Sequence, residues 1–556
     1  MNKWRRSGLL LILLFSVAAF LRIALAVKPG LWADEIFSLA IATGHSLEHP
    51  AAVADPAHGD YAEPREPQVP SAFHPYMRHE MPPAGMARVL RAVLLSDTNP
   101  PLYYFLLNLW TRAAGTSDAA LRLFSTVWAL SCLPLLWAVG QRAGGRRVAW
   151  TACVLFAFAP RALFYSAEGR MYSLVWFFGL ALVWSTFELA RRRPQPHLVL
   201  LWSVSGAAGL LTHYFFAFLW LACLIWLWLH PGGTSRAYVT AATVIAVFLV
   251  APWYFHLTTS LDAWRITGDW LAQPLSWRQL LLAPARLGGS LLAGRGIWGG
   301  PIWPDLFAAG AYVLLGVFIS QRPLWPLLTY RRQLLWLWVL SSVLGPVAFD
   351  VLTHSSASLI LRYALPGLPA ALLLAALGMS RLPCTGHLAF LLLLLLAWTP
   401  AIGDIFENPS RPWEPYPSVA ARLDALTVPS DLVIIHSIPS GVLGVARYMS
   451  TDTPVVSWVV QLGLRSLPAD MEHLVVGRCR VALVKIHYLN EPSPAEAWLR
   501  EHGELDHQDK IDGLTEILYF VLEPPAGKST KTCPAWSRST PNAQGTNRRL
   551  VRHTAD

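Results

Sequence analysis

The chain has 556 residues, 54% of hydrophobic types and only 14% charged. A soluble protein carries about a quarter charged residues, so a purely soluble architecture is excluded. The net charge of +10 comes from Lys and Arg in short clusters between apolar blocks, not on one continuous face. That distribution argues against a nucleic-acid surface and fits the cytoplasmic loops of a membrane protein.

The apolar residues come in blocks such as "GLLLILLFSVAAFLRIALAV" from Gly8 and "HLAFLLLLLLAWTPAIG" from His387. Blocks of about twenty match a bilayer core. The first resembles a signal peptide, but its apolar stretch is too long and no small-x-small cleavage site is clear, so it is read as an uncleaved helix. With "MNKWRR" inside, that helix exits near Lys28. A polar outer segment runs from about Pro29 to Ser117. Within it "PPLYYFLLNLW", from Pro100, is too short for a span and is read as a surface-lying juxtamembrane helix. The second span is expected from about Asp118 to Gln141. Arg- and Lys-bearing loops at "QRAGGRR", "RRRPQ", "GGTSRAY", "TYRRQ" and "SRLPCTGH" then fall inside. The regions around Glu168, Thr212–Tyr214, Phe255–Pro304 and Asp350–Arg362 fall outside.

The composition changes near Pro417. "VAARLDAL" reads as a helix and "DLVIIHSI", "DTPVVSWVV" and "CRVALVKI" as strands. "AEAWLREHG" reads as a second helix and "TEILYFVLE" as a last strand. Alternating helices and strands predict a small α/β domain. The expected fold class is a polytopic α-helical membrane protein of about eleven spans, residues 1–403, with juxtamembrane helices in its first outer loop. A periplasmic α/β domain follows over 404–525, then a disordered basic tail over 526–556. Cys132, Cys153 and Cys223 lie in apolar blocks and read as packing residues. Cys479 and Cys533 are a candidate pair if their region is periplasmic.

Ionisable residues at span ends are the informative ones, because they are costly there. Four groups fall on the outer side. "LWADEIFSLA" carries the adjacent acids Asp34 and Glu35, which also suit an ordinary helix start. "APRALFYSAEGRMYSL" carries Arg161, Glu168 and Arg170. If it is helical, Glu168 and Tyr172 share a face and Arg170 does not. "LLTHYFFAF" places His213 and Tyr214 in a short turn, where a lone His is more often a satisfied interfacial residue. "ASLILRYALPGLPA" opens a span with Arg362, which as a bland alternative snorkels to headgroups. Together they put acids and arginines on one face, a set suited to an anionic lipid-linked substrate. Arginine pairs phosphate in forked geometry, and a partly desolvated carboxylate serves as a base.

"LWADEIFSLA", "NPPLYYFLLNLW" with "SDAALRLFSTVWAL", "YSAEGRMYSL" and "LRYALPGLPAALLLAALG" resemble the C-type glycosyltransferase superfamily over roughly residues 8–403 and the "DLVIIH" start of the tail domain. The likeness is to bacterial relatives of protein O-mannosyltransferases (family 39) and of the lipid A aminoarabinose transferases. The resemblance implies inverting transfer of a sugar from a polyprenyl-phosphate carrier to an acceptor outside the cytoplasm, in a bacterial inner membrane. It implies Asp34 as the base and Glu35 orienting the acceptor or its neighbour. It makes Arg170, Arg362, Tyr172 and Tyr363 candidates for the lipid phosphate, and Glu168 for contacting the sugar or holding Arg170. Where many relatives have a His before the Pro-Pro pair, this chain has "SDTNPP", so Asp97 or Asn99 stands in its place. Tyr103 and His213 are further candidate contacts. Some relatives use a divalent metal, and the sequence leaves that open. The loop between Gly44 and Asp97 contains His45, His49, His58, His74 and His79 at irregular spacing; shaping the acceptor site is the favoured reading over metal binding. The rival function is a transporter or flippase for a lipid-linked or anionic solute. It is disfavoured by the placement of charges at span ends and by the absence of repeated halves.

Overall fold

Seven helices among the described residues are long and apolar enough to cross a bilayer, or eight if one bent pair is a single span. The structure is a computed structural model. It describes residues 2–97, 99–190, 195–229, 236–262, 264–266, 271–293, 330–407, 414–486, 493–512, 515–522 and 536. The expected turns at 191–194 and 230–235, the stretch 294–329 and the tail 537–556 lie outside these residues. The molecule is a multi-span membrane protein with a small sheet domain at its C-terminal end.

Helix α1 (Asn2–Ala26) is followed by the short α2 (Ala33–Ala42) and a long loop of 3-10 turns. Helices α3 (Met86–Ser96) and α4 (Leu102–Ala114) close that loop. At 13 residues α4 is shorter than a span, as "PPLYYFLLNLW" predicts. Helix α5 (Asp118–Gly144) starts at the N-cap Ser117, whose hydroxyl accepts from Ala120 N–H at 3.1 Å. It packs on α1, on α6 (Arg146–Phe158) and on α8 (Tyr172–Leu189).

Between α6 and α8 lies α7 (Pro160–Ser166), bent 61° from α6. Pro160 has no N–H, so the carbonyl of Phe156 loses its intrahelical donor. Arg22, fully buried in α1, supplies one at 2.8 Å. The same guanidinium also reaches the carbonyls of Ala157 and Ala18 at 3.2 Å and the Ser166 hydroxyl at 3.1 Å. An apolar interior tolerates broken helix only where the freed groups find partners, and Arg22 is that partner.

Helices α9 (Pro196–Leu210) and α10 (Phe216–Trp228) are apolar but short, and α11 (Arg236–Tyr254) is of spanning length. The later helices run Trp277–Leu292, Tyr330–Thr353, Leu368–Met379 and Cys384–Glu407. Before Leu368 the chain is a 3-10 segment, Leu361–Gly367. Two of its buried carbonyls accept from indoles, Trp176 to Leu365 O at 2.8 Å and Trp338 to Pro366 O at 2.7 Å.

The C-terminal sheet has strand order β2-β1-β3-β5-β4, with β1 (Leu432–His436), β2 (Val455–Trp458), β3 (Arg480–Ile486), β4 (Gly503–Asp512) and β5 (Thr515–Leu522). β1 is parallel to β2 and β3, while β5 is antiparallel to β3 and β4. Alternate residues point to opposite faces. Leu432 and Ile434 join Trp498 and Leu499 on one side. Val433 and Ile435 join Leu443 and Tyr416 on the other. The first loop touches this sheet directly: Gln68 pairs with Val455 on edge strand β2 by two backbone hydrogen bonds of 2.7 and 2.9 Å. Cys479 is disulfide-bonded; Cys533 lies outside the described residues.

Candidate active site

The turn Lys28–Ala33 delivers both acids. Gly30 has φ +107°, a conformation that disfavours side chains, and it turns the chain from α1 into α2. Asp34 and Glu35 are the second and third residues of α2, yet their side chains go to different places.

Glu35 is fully buried. Its carboxylate meets Arg122 of α5 in a fork, Nε to Oε1 at 2.8 Å and Nη2 to Oε2 at 2.7 Å. Gly169 N–H donates to Oε1 at 2.7 Å and Trp32 N–H to Oε2 at 3.3 Å. A Cβ on Gly169 would stand 2.5 Å from Leu121, so the approach requires glycine. Arg122 also donates to the carbonyls of Lys28 at 2.8 Å and Gly30 at 2.5 Å. Glu35 therefore ties the turn, α5 and the α7–α8 break together, and it does not share a face with Asp34. The sequence reading has no role for Arg122. Its signal was an arginine within an apolar span, four residues from the start of α5.

Asp34 is 23% exposed and sits between two arginines. Arg362 Nη1 donates to Oδ2 at 2.9 Å, and Arg170 Nε lies 3.8 Å from the same oxygen. Arg362 comes from the 3-10 segment, and its guanidinium lies over the rings of Trp32 and Tyr363. Arg170 comes from residues 167–171, which form no helix; α8 begins only at Tyr172. The helical-face condition for Glu168 and Tyr172 is therefore not met, because residues 167–171 between α7 and α8 are not helical. Arg170 Nη1 reaches Ser38 Oγ at 3.0 Å, Asp34 O at 3.3 Å, Tyr104 OH at 3.4 Å and Asp97 Oδ2 at 3.5 Å. Its Nε is buried and has no hydrogen-bond partner among the described residues.

Asp97 caps this cluster. Asn99 holds Oδ1 through its backbone N–H at 2.9 Å and its amide at 2.8 Å, and Tyr104 OH donates to Oδ2. Burial pushes the Asp97 carboxyl up, but Arg170, Tyr104 and Asn99 outweigh it and hold it below its ordinary value. An aromatic ring lies on the opposite flank. Tyr363 stacks on Phe215 at 4.7 Å, and His213 lies 5.9 Å from Tyr363 and 6.3 Å from Tyr172. His213 Nδ1 accepts from Phe215 N–H at 3.2 Å, which leaves the ring proton on Nε2 when the imidazole is neutral.

The structure thus gathers Asp34, Asp97, Asn99, Arg170, Arg362, Tyr172, His213 and Tyr363. Tyr103 lies beneath, its hydroxyl buried and its ring edge-on to Tyr104 at 5.3 Å. Glu168 is buried on the Glu35 side, in a small cleft lined by Trp32, Glu35, Arg122 and Phe164, and its backbone carbonyl accepts from Arg170 N–H at 2.7 Å. Arg161 is turned elsewhere, toward the Ser290 carbonyl at 3.2 Å.

The histidines of the first loop are scattered. His58 pairs with Asp55 and His79 with Thr111, while His74 meets Ala446 O and His45 sits between Thr43 and Glu80. Burial and Arg88 pull His45 down to about 4. Among the described residues no three His, Cys, Asp or Glu are grouped to hold a metal ion. The site's carboxylates face arginines instead, a donor set that does not fit a divalent cation.

Residues 98–256 match the family model for dolichyl-phosphate-mannose-protein mannosyltransferase. This stretch holds Arg122, Glu168, Arg170, Tyr172 and His213. No curated protein matches the chain by sequence. Among solved structures, ArnT from Cupriavidus metallidurans in the apo state superposes with a TM-score of 0.52 at 10% identity, covering 92% of this chain and 98% of that one. ArnT bound to undecaprenyl phosphate gives 0.53 at 10% identity, covering 92% and 97%. The chain has the C-type glycosyltransferase fold. The resemblance read from its motifs is borne out. The archaeal oligosaccharyltransferase AglB from Archaeoglobus fulgidus, in complex with an inhibitory peptide and a dolichol-phosphate, gives a TM-score of 0.42 at 12% identity, covering 85% of this chain and 69% of that one.

Proposed function

We propose that the protein is an inverting glycosyltransferase that moves a sugar from a polyprenyl-phosphate donor to an acceptor outside the cytoplasm. The observation that carries this is the carboxylate of Asp34, partly open to solvent and placed between Arg362 and Arg170. Support comes from the match of residues 98–256 to a dolichyl-phosphate-mannose-protein mannosyltransferase model and from the fold shared with ArnT, which binds undecaprenyl phosphate.

In this reading Asp34 takes the proton of the acceptor hydroxyl as the acceptor oxygen attacks the anomeric carbon. The bond from that carbon to the phosphate oxygen breaks, and the polyprenyl phosphate leaves with the electron pair. Arg170 and Arg362 turn from Asp34 to the phosphate, where forked donors match its oxygens. No protonating acid is needed, because phosphate is already a good leaving group. Tyr172, Tyr363 and His213 border the donor side, and Asp97 with Asn99 holds Arg170 in place. Glu35 acts by fixing the turn, not by touching the acceptor. Around this site we place about eleven spans in a bacterial inner membrane, with the N-terminus cytoplasmic and the domain after residue 403 periplasmic.

The test is sugar transfer in purified membranes carrying Asp34→Asn. Asparagine keeps the size but cannot accept a proton, so turnover should fall by on the order of a hundredfold or more, as for loss of a general base. Near-normal turnover would remove Asp34 from that role. Comparative mass analysis of envelope lipids, glycans and secreted proteins after deletion identifies both substrates.

A further inference from the structure

The backbone of the acidic turn is held from four directions. Residues Gly30 to Ala33 precede the first hydrogen-bonded turn of α2, so their N–H groups have no intrahelical acceptor. Gly30 N–H donates to Asp118 Oδ2 at 2.9 Å and Trp32 N–H to Glu35 Oε2 at 3.3 Å. The other two acceptors belong to the C-terminal domain and its approach. Leu31 N–H donates to the Tyr448 hydroxyl at 2.8 Å, and Ala33 N–H donates to Glu414 Oε2.

Tyr448 does more than accept. Its own proton goes to Asp118 Oδ2 at 2.6 Å, so one hydroxyl joins the turn to the start of α5. Arg447 next to it binds Asp118 Oδ1 at 2.8 and 3.0 Å and the Thr116 carbonyl at 2.8 Å. Both residues end the helix Pro439–Tyr448, which packs along α2 and the 3-10 turn Pro70–Met77. Tyr448 and Leu31 are 417 positions apart in sequence, and Glu414 and Ala33 are 381 apart.

We infer that the C-terminal domain is part of the catalytic apparatus: through Tyr448 and Glu414 it holds the backbone of the turn that carries Asp34. These two are positioning residues, since they act on Asp34 through the peptide groups of Leu31 and Ala33. The inference rests on Asp34 being the base, and it explains why a sheet domain is joined to a membrane enzyme at this point. The side chain of Asp34 follows the first residues of α2, so a free Leu31 or Ala33 N–H lets the carboxylate drift from the acceptor.

The experiment uses the full-length protein in nanodiscs. Amide exchange at Leu31 and Ala33 should quicken by on the order of tenfold or more in Tyr448→Phe and Glu414→Ala, while β1 and β3 keep their protection. Glu414→Gln retains a carbonyl acceptor and should restore slow exchange. Arg465→Ala is the docking control. Arg465 binds the carbonyls of Pro64, Arg65 and Ser457 instead of the turn's peptide groups, and its loss should leave exchange at Leu31 unchanged. With a panel of undecaprenyl-phosphate pentose and hexose donors, Tyr448→Phe should lower kcat about tenfold with donor KM within about twofold, as small misplacement of a reacting group does. Unchanged exchange in both Tyr448→Phe and Glu414→Ala overturns the inference, and so does an equal loss of kcat in Arg465→Ala. If Asp34→Asn keeps its turnover while Tyr448→Phe loses it, the base assignment fails and the clamp stands. If Asp34→Asn loses its turnover while Tyr448→Phe runs at the normal rate, the base assignment stands and the clamp fails alone.

Discussion

Two pairs of arginines behave differently. Arg22 and Arg122 lie within the helix bundle, and each nitrogen of either guanidinium has a partner at 2.5–3.2 Å. Arg170 and Arg362 lie at the loop face around Asp34. There Arg170 Nε has no hydrogen-bond partner among the described residues, and most contacts of its Nη1 are 3.3–3.5 Å long. The first pair holds broken or turning backbone together. In the second, Arg170 keeps a donor in reserve. A saturated buried charge marks architecture, and an unsaturated one beside a half-open carboxylate marks chemistry.

That contrast is sharpest in adjacent residues. Removing Arg122 by Arg122→Leu should strand Glu35 and cost about 3–5 kcal/mol of stability, as breaking a buried ion pair does. The expected signs are a lower yield of folded protein and a lower thermal midpoint in detergent. A stable Arg122→Leu protein lacking only activity would erase the distinction between the two pairs. Asp34→Asn should do the reverse, keeping the thermal midpoint within a few degrees while turnover falls.

Arg362→Lys should keep the charge yet lose the fork, weakening donor use by about 1–3 kcal/mol. A donor titration of kcat/KM measures this. Equal donor use in the Lys and Arg proteins would remove forked phosphate recognition from the proposal.

The smallest effect concerns the join between the first loop and the sheet domain. Glu63 is buried there. Its Oε1 accepts from Val459 N–H at 2.8 Å and Ser457 Oγ at 2.9 Å, while Oε2 has no hydrogen-bond partner among the described residues. Burial raises its pKa to about 7 against those bonds. A carboxyl raised on folding binds its proton more tightly in the folded state. Its stabilising contribution is therefore present below about pH 4.5 and lost as pH rises to about 7. The join should weaken over that window by on the order of 2 kcal/mol, and Glu63→Gln should flatten the dependence. Limited proteolysis of the loop across the pH range reads this out, and an identical profile in Glu63→Gln would refute it.

Much of the framework was legible. The second span, expected from Asp118 to Gln141, is α5 (Asp118–Gly144), because its apolar run is long and has an N-cap. Strands β1, β2, β3 and β5 follow their β-branched runs. β4 went unread because "GELDHQDKID" is polar along its length, and an edge strand paired on one side needs no apolar face. The helix Pro439–Tyr448 went unread because Gly441 and Gly444 interrupt its pattern. Gly444 is required by Tyr416, whose ring would stand 2.3 Å from a Cβ there. The site was legible as residue types on one face, but not as pairings. Glu35 meets Arg122 across 87 positions and Asp34 meets Arg362 across 328, and no local spacing encodes such contacts.

The Gln68–Val455 bridge has one more consequence. A sheet edge with free N–H and C=O groups is a template on which other chains stack. Here the first loop covers the β2 edge with its own backbone. The opposite edge, β4, carries Glu504, Asp506, Asp509, Lys510 and Asp512 and two register shifts against β5. One margin of the sheet is occupied and the other is charged and irregular, so copies of this domain crowded on a membrane surface are guarded against aggregating edge to edge.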